Sequence, residues 1–199
     1  MALEKLDTEI RKEQIIEAAL SLIAAHGVRR LSMAALARRV GLVPSALYRH
    51  FRSKQEILQA AVQFIRGKAG ENLKAVCALT PHALERLELL LRGVIKMVRE
   101  LQAMPRIVFS EGLVGENPEG KRQVYEVLKG LLAEIEGILR QGQERGEVRK
   151  DIDPRSLAVM FWGMIPAAVI LWHMSDGQFD VTRQAEKSWQ LFKEGIGAK

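Results

Sequence analysis

The chain of 199 residues is long enough for one large domain or two small ones with a buried core. Its composition, 48% hydrophobic and 27% charged, is that of an ordinary soluble globular protein. The single cysteine, Cys77, excludes an internal disulfide, and the N-terminus carries no signal-peptide pattern. A cytoplasmic protein in a reducing compartment is therefore expected.

Positive charge is concentrated in the first third of the sequence. Residues 1–66 carry a net charge of +5 out of the total of +6, and no acidic residue lies between Glu17 and Glu56. The basic residues in that interval are Arg29, Arg30, Arg38, Arg39, Arg49, Arg52 and Lys54. An acid-free basic block is typical of a surface that contacts phosphate, and a solvated basic face is the alternative.

Helix signals recur along the chain, whereas strand signals are nearly absent. Apolar residues from Ile15 onward are spaced as on one face of a helix, and glycines such as Gly41 and Gly146 stand where helices should end. The predicted helix starts, each a capping residue or a first-turn proline, are Thr8, Ser32, Pro44, Ser53 with Glu56, Thr80-Pro81, Asn117-Pro118, Asp153-Pro154 and Asp180. The sequence predicts an all-α fold of about nine helices, with the fourth at about residues 54–79.

The segment Leu157–Met174 contains 18 residues without Asp, Glu, Lys or Arg. That length nearly meets the criterion for a membrane span. A glycine, a proline and a histidine interrupt it, and no cluster of cations anchors its flanks, so a helix buried in a core or against another subunit is predicted. A second apolar stripe, Ala185, Trp189 and Phe192, is predicted to join it in an obligate dimer interface. Ala168 is placed at the centre of the first helix in that interface, and the alternative is that it faces the core of its own subunit.

The stretch Met33–Arg52 has the spacing of a helix-turn-helix. Ala37 is small, so a second helix can cross close to the first. Gly41 suits a tight turn that requires a positive φ. Leu47 and Phe51 then place an apolar i, i+4 stripe on the next helix.

A helical wheel assigns the faces of that next helix. With Leu47 and Phe51 inward, Ser45 and Arg49 point outward, and a recognition helix contacts base edges with its outward face and phosphates with its flanks. Arg49 is predicted to donate twice to guanine O6 and N7. The predicted DNA contacts are Ser32, Pro44, Ser45, Ala46, Tyr48, Arg49, His50 and Lys54, of which Ser32, Tyr48, His50 and Lys54 suit phosphates. For Tyr48 and His50 the alternative is a core position with a polar tip at the surface.

These residues carry a family resemblance. The segments LSMAALA at 31–37, GLVPSALYRHF at 41–51 and SKQEIL at 53–58 closely resemble the DNA-binding domain of TetR-family (TetR/AcrR-like) regulators. The resemblance is strong over roughly residues 10–60, and Arg145–Pro154 is similar to a connection common in the family before its eighth helix. Val43 departs from the pattern, since the family usually has serine or threonine there.

The resemblance implies an all-α homodimer that binds double-stranded operator DNA as a ligand-responsive repressor. Together with the change of charge character within the fourth helix, where the boundary is placed, it predicts a helix-turn-helix domain over residues 1–55 and a helical ligand-binding and dimerisation domain over residues 56–199, with the fourth helix as the connector. The last two long helices would pair with their symmetry mates in a four-helix interface. Ligand bound among the middle helices would shift the fourth helix and separate the two recognition helices.

Apolar and aromatic residues in the later part of the chain are the candidates for a ligand pocket, although each is also an ordinary core residue. They are Met97, Leu101, Phe109, Tyr125, Leu128, Phe161, Trp162 and Trp172, with Arg106, Ser110, Glu111 and His173 as polar candidates. Such a lining favours a hydrophobic or aromatic effector. The sequence has no metal-spaced cluster, phosphate-binding glycine loop or nucleophile elbow, so neither an enzyme nor a cofactor is expected. A catalytic protein and an interaction module that has lost DNA binding are the alternatives.

Overall fold

The computed structural model describes residues 2–108 and 118–198, and most of these residues lie in helices. Nine α-helices occupy these residues: α1 (Ala2–His26), α2 (Met33–Arg39), α3 (Pro44–His50), α4 (Lys54–Leu79), α5 (Ala83–Glu100), α6 (Ala103–Val108), α7 (Pro118–Glu144), α8 (Pro154–Met174) and α9 (Val181–Ile196). A 3-10 turn at Val28–Arg30 precedes α2. In the described residues the only β-type pairing is an isolated bridge between Val148 and Gly197. The predicted all-α class is confirmed.

Most of the predicted helix starts are confirmed. Ser32, Asp153 and Asp180 cap α2, α8 and α9 by accepting a hydrogen bond from a backbone N–H three residues later. Two starts are wrong. α1 begins at Ala2, so Thr8 lies inside it, and α5 begins at Ala83 rather than at the Thr80-Pro81 pair. Asn117 lies outside the described residues.

The chain forms two compact units. One contains Met1–Gly67 together with Leu101–Val124, and the other contains Lys68–Glu100 together with Tyr125–Lys199. The division falls inside α4, the helix within which the sequence-based boundary at residue 55 also lies. It also places α6 with the N-terminal helices, because α6 packs against α1.

The first unit has its core between α1, α2, α3, the start of α4, and α6. Large apolar side chains from α1, α2, α3 and α4 have no exposed surface, among them Ile15, Ile23, Leu36, Leu47 and Ile57. Ile107 of α6 is also fully buried. Burying a large apolar side chain stabilises by about 1.5–3 kcal/mol, so this small core fixes α3 against its neighbours.

The second unit is built around an aromatic cluster. The rings of Phe161 in α8 and Trp189 in α9 lie 6.3 Å apart, edge to face, and Phe192 lies 5.8 Å from Phe161. Trp189 is only 2% exposed, and its indole N–H donates to Glu88 of α5. The prediction that Ala185, Trp189 and Phe192 form the dimer interface is therefore wrong, because α9 buries these residues within its own unit.

Helix α8 buries one face and leaves another apolar face exposed. Ala168 is among its buried residues, so it does not lie at the centre of an intersubunit face. The exposed apolar residues of α8 are Val159, Met160, Ile170, Leu171 and Met174. The helix is long and apolar enough to cross a membrane, and one third of its most apolar window is buried within the unit.

Candidate nucleic-acid interface

The turn between α2 and α3 has the geometry of a helix-turn-helix. Gly41 adopts a φ of 69°, which side chains disfavour, and this lets the chain reverse within three residues of α2. The amide of Leu42 then donates to the carbonyl of Ala37 at 2.9 Å. Ala37 has no exposed surface, as expected where two helices cross closely. The predicted motif is therefore present in full.

Helix α3 presents the predicted outward face. Leu47 and Phe51 are buried, whereas Ser45 and Arg49 are exposed and Tyr48 is half exposed, at 50%. Because Pro44 occupies the first turn, its missing N–H costs nothing there. Val43, at the N-cap, makes no side-chain capping bond, so the departure from the family pattern leaves that cap empty.

Two of the predicted contacts on α3 are less accessible than their neighbours. Ala46 is only 8% exposed and packs into the core of the unit, which removes it from the outward face. Burial of Ala46 places it on the packed side of α3, a helix that also lies against α2. His50 is half-buried, with part of its ring at the surface.

Ser32, at the start of α2, is exposed and caps this helix. Its Oγ accepts a hydrogen bond from the amide of Ala35 at 3.2 Å, and its hydroxyl hydrogen remains a donor. Arg39, at the other end of α2, donates to Ser21 of α1 at 3.4 Å. These two bonds fix α2 at each end.

The start of α4 combines a capped helix end with a positioned cation. Ser53 Oγ accepts from the amide of Glu56 at 3.1 Å, and Glu56 Oε2 accepts from the amide of Arg52 at 2.6 Å. Lys54 Nζ donates to the carbonyl of Arg29 at 3.3 Å, which holds the ammonium group beside the 3-10 turn. Partial burial lowers the pKa of Lys54 below its usual value, because the charged form loses hydration.

Two arginines beside Lys54 were not among the predicted contacts. Arg29 and Arg30 form the 3-10 turn and are exposed. The acid-free basic block included them, but the helical wheel assigns faces only within a helix and gave no direction for a turn. The carbonyl contact between Lys54 and Arg29 brings this turn to the start of α4.

The candidate ligand-pocket residues do not behave as one group. Phe161 is fully buried in the aromatic cluster and is a core residue. Tyr125 is 63% exposed, so it lines no enclosed site within the described residues. Leu101 belongs to the first unit, whereas the half-buried Met97, Leu128, Trp162 and Trp172 belong to the second. Phe109, Ser110 and Glu111 lie outside the described residues; Arg106 is half-buried, and His173 is exposed.

In the part of the chain that the structure describes, no three His, Cys, Asp or Glu side chains lie close enough together to hold a metal ion. The functional chemistry of these residues is instead that of hydrogen-bond donors and cations around a protruding helix.

Comparison with protein families identifies this arrangement. Residues 15–61 match the model of bacterial regulatory proteins of the tetR family, and residues 69–195 match the YsiA-like C-terminal region. The chain belongs to the TetR family. It is a ligand-responsive DNA-binding transcriptional regulator, and its fold is the family's N-terminal helix-turn-helix followed by a C-terminal helical domain.

Relatives match the whole length of the chain. The fatty acid metabolism regulator protein of Bacillus subtilis is 27% identical over 186 residues, which cover 94% of this chain and 95% of that protein. The nucleoid occlusion factor SlmA of Vibrio vulnificus is 25% identical over 187 residues, again covering 94% and 95%. The structure of the Bacillus subtilis regulator FadR in complex with stearoyl-CoA matches with a TM-score of 0.78 and 27% identity, over 92% of this chain and 98% of that one.

Proposed function

We propose that this TetR-family regulator is a repressor that leaves its operator when a long-chain fatty acyl-CoA binds to its C-terminal domain. The observation that carries the proposal is the end-to-end similarity to a fatty acid regulator whose structure contains stearoyl-CoA. The similarity extends over the ligand-binding half of the chain as well as the DNA-binding half. An acyl chain also suits the half-buried apolar side chains of the second unit, such as Met97, Leu128 and Trp162.

The DNA-binding part of the proposal assigns α3 to the major groove. Arg49 is exposed on its outward face and makes the base contact, since its guanidinium can donate twice to guanine. Phosphate contacts surround it at Ser32, Tyr48, His50 and Lys54, and the exposed Pro44 and Ser45 complete the DNA-facing side of α3. Ala46 is left out of this set because it is buried.

The protein acts as a homodimer in this proposal, and the exposed apolar face of α8 is the interface. Large exposed apolar patches are rare on soluble monomers, and this one includes Met174, which is 78% exposed. Small residues, Gly163 and Ala167, lie on the same exposed face and allow two copies of α8 to approach closely. A two-fold dimer also matches the symmetry of two DNA half-sites. Covering the face in this way assigns α8 to a subunit interface in the cytoplasm rather than to a membrane.

The function so defined is regulatory and not catalytic. Its partners are double-stranded operator DNA, a second copy of the chain and the effector, and it needs no cofactor. The Bacillus subtilis proteins described above are regulators, which supports this class.

A gel-shift experiment tests the proposal. Labelled DNA from upstream of the protein's own gene is expected to bind, to be released by micromolar stearoyl-CoA and to stay bound with coenzyme A alone. Failure to bind any such DNA would contradict the DNA-binding assignment. Binding that stearoyl-CoA leaves unchanged would contradict the effector assignment alone.

A further inference from the structure

A polar side chain of α4 lies against the backbone of α5 in the second unit. A methyl group added at Gly93 would lie 2.4 Å from both the nitrogen and the oxygen of the Asn72 side-chain amide. Real contacts of that length do not occur, so the amide occupies the space that a side chain at position 93 would fill. The absence of a side chain at Gly93 is what allows Asn72 to lie there.

The nitrogen of this amide has no hydrogen-bond partner among the described residues. Asn72 Nδ2 is buried from solvent and donates to nothing in the described part of the chain. Buried donors in native proteins are nearly always paired, because an unpaired one loses its hydration without compensation. An apolar residue would fill the same space without that cost, so an acceptor from outside the described residues suits this donor.

The helical neighbours of Asn72 and Gly93 indicate which kind of acceptor fits. Val76, one turn later on α4, and Leu90 and Val94 of α5 are buried and apolar. Met97 lies one turn after Gly93 on the same side of α5 and is half-buried. A single amide donor among apolar side chains suits a ligand that is apolar along its length and has one carbonyl group.

We propose that the Asn72 side-chain N–H donates to the thioester carbonyl of the bound acyl-CoA and is the polar anchor of the effector. This inference rests on the proposed function, which supplies the acyl-CoA. The anchor lies on α4, the helix that begins at Lys54 in the DNA-binding unit. The effector therefore contacts the helix that carries a phosphate-binding residue at its other end.

The test compares two ligands that differ only in the carbonyl group. Stearoyl-CoA has the thioester, and S-octadecyl-CoA, its thioether analogue, has a methylene group in its place. Wild-type protein is expected to bind the thioester about tenfold more tightly, the ratio that one net hydrogen bond provides. In Asn72→Leu, whose side chain has nearly the same size, the ratio is expected to fall to about one, measured by isothermal titration.

Two further variants make the test specific. Gln123→Leu removes another buried amide with an unpaired atom, in the first unit, and is expected to keep the wild-type ratio. Gly93→Ala leaves the amide in the chain but displaces it, and is expected to lower the ratio as Asn72→Leu does. Thermal unfolding shows whether each variant is folded. If Asn72→Leu is not folded, Gly93→Ala provides the comparison with the wild-type protein.

Each result separates the two proposals. If wild-type protein binds neither ligand, the effector class is wrong, and so is the assignment of Asn72 as its anchor. If wild-type protein binds both ligands equally, or if Asn72→Leu keeps the tenfold preference, the anchor is wrong while the effector class stands.

Discussion

The side chain of Glu147 caps the first turn of α5, which is 64 residues earlier in the chain. Its Oε2 accepts a hydrogen bond from the amide of Ala83 at 2.6 Å, and its Oε1 lies 3.2 Å from the ring nitrogen Nδ1 of His82. The carbonyl of Glu147 also accepts from the amide of Ala198, which follows α9. One loop residue therefore fixes the start of α5 and the end of the chain within the second unit.

Glu147→Ala is expected to destabilise the second unit by about 0.5–2 kcal/mol, the usual range for loss of a helix N-cap. The free energy of unfolding in urea measures this, and hydrogen exchange of the amides at residues 83–86 should increase. Glu147→Gln keeps an accepting oxygen and should lose less. Equal losses for Ala and Gln would show that the charge, and not the hydrogen bond, stabilises this turn.

The start of α5 shows what the sequence cannot supply. Thr80 and Pro81 have the residue types of a cap and a first turn, but the acceptor that closes the helix is Glu147, from a distant loop. Thr80 instead accepts from the amide of His82 and donates to Glu85, which shapes the turn before the helix. The local sequence preference predicted that a helix lies here, whereas the hydrogen bond from a distant loop sets its first residue.

The geometry of the proposed DNA-binding site was predictable because it is local. Leu47 and Phe51, four residues apart on one helix, fix the outward direction of Arg49 without information from elsewhere in the chain. The burial of Ala46 could not be found this way, since it depends on how α2 packs against α3.

The residues proposed for ligand binding and dimerisation were less predictable for the same reason. The sequence shows that α8 is apolar and that α9 carries an apolar stripe, but not which of these faces meets its own unit. Trp189 satisfies its indole N–H on Glu88 within the unit, a contact across 101 residues. Asn72 carries no sequence signal at all, because its unpaired amide is visible only once α5 lies against it.

Arg49→Ala is expected to relax sequence preference at one base pair in each half-site, at a cost of about 1–3 kcal/mol for the preferred base. Binding measured against half-sites substituted one base at a time gives this directly. Arg38→Ala, on the exposed surface of α2, is the control and should leave the preferred sequence unchanged. A uniform loss across all substituted sites would assign Arg49 to a phosphate instead.

Lys54→Met is expected to weaken binding to every sequence alike and to reduce the slope of log K against log salt by about one unit. Lys74→Met, on the exposed surface of α4 in the other unit, should not change the slope. Because burial lowers the pKa of Lys54, the wild-type affinity that depends on its charge should begin to fall at a lower pH than for an ordinary lysine.

Tyr48→Phe should also weaken binding to every sequence without changing the preferred sequence. An altered consensus in Tyr48→Phe or in Lys54→Met would contradict the phosphate assignments.

Two neighbouring alanines of α8 separate dimerisation from folding. Ala167 is exposed on the apolar face and Ala168 is buried. Ala167→Glu should give a folded monomer with weak operator binding, whereas Ala168→Glu should unfold or aggregate because it buries an unpaired charge. Size-exclusion chromatography with light scattering measures the first effect and circular dichroism the second. A wild-type protein that is a stable monomer at micromolar concentration would contradict the α8 interface.

The last prediction concerns the two glycines at the boundary between the units, Gly67 and Gly70 of α4. A methyl group at either position meets nothing within 4 Å, so alanine fits, and each replacement should stabilise the helix by about 0.5–1 kcal/mol. α4 carries Lys54 at one end and the proposed anchor Asn72 near the other. A more stable α4 should therefore change its conformation less when the ligand binds. The double variant should bind operator DNA as wild type does but need more stearoyl-CoA for release. The double variant Gly130→Ala/Gly137→Ala, at equally open positions in α7, should match the gain in stability without changing release. If this control raises the stearoyl-CoA requirement as much as the α4 double variant does, general stability and not the α4 glycines sets the response.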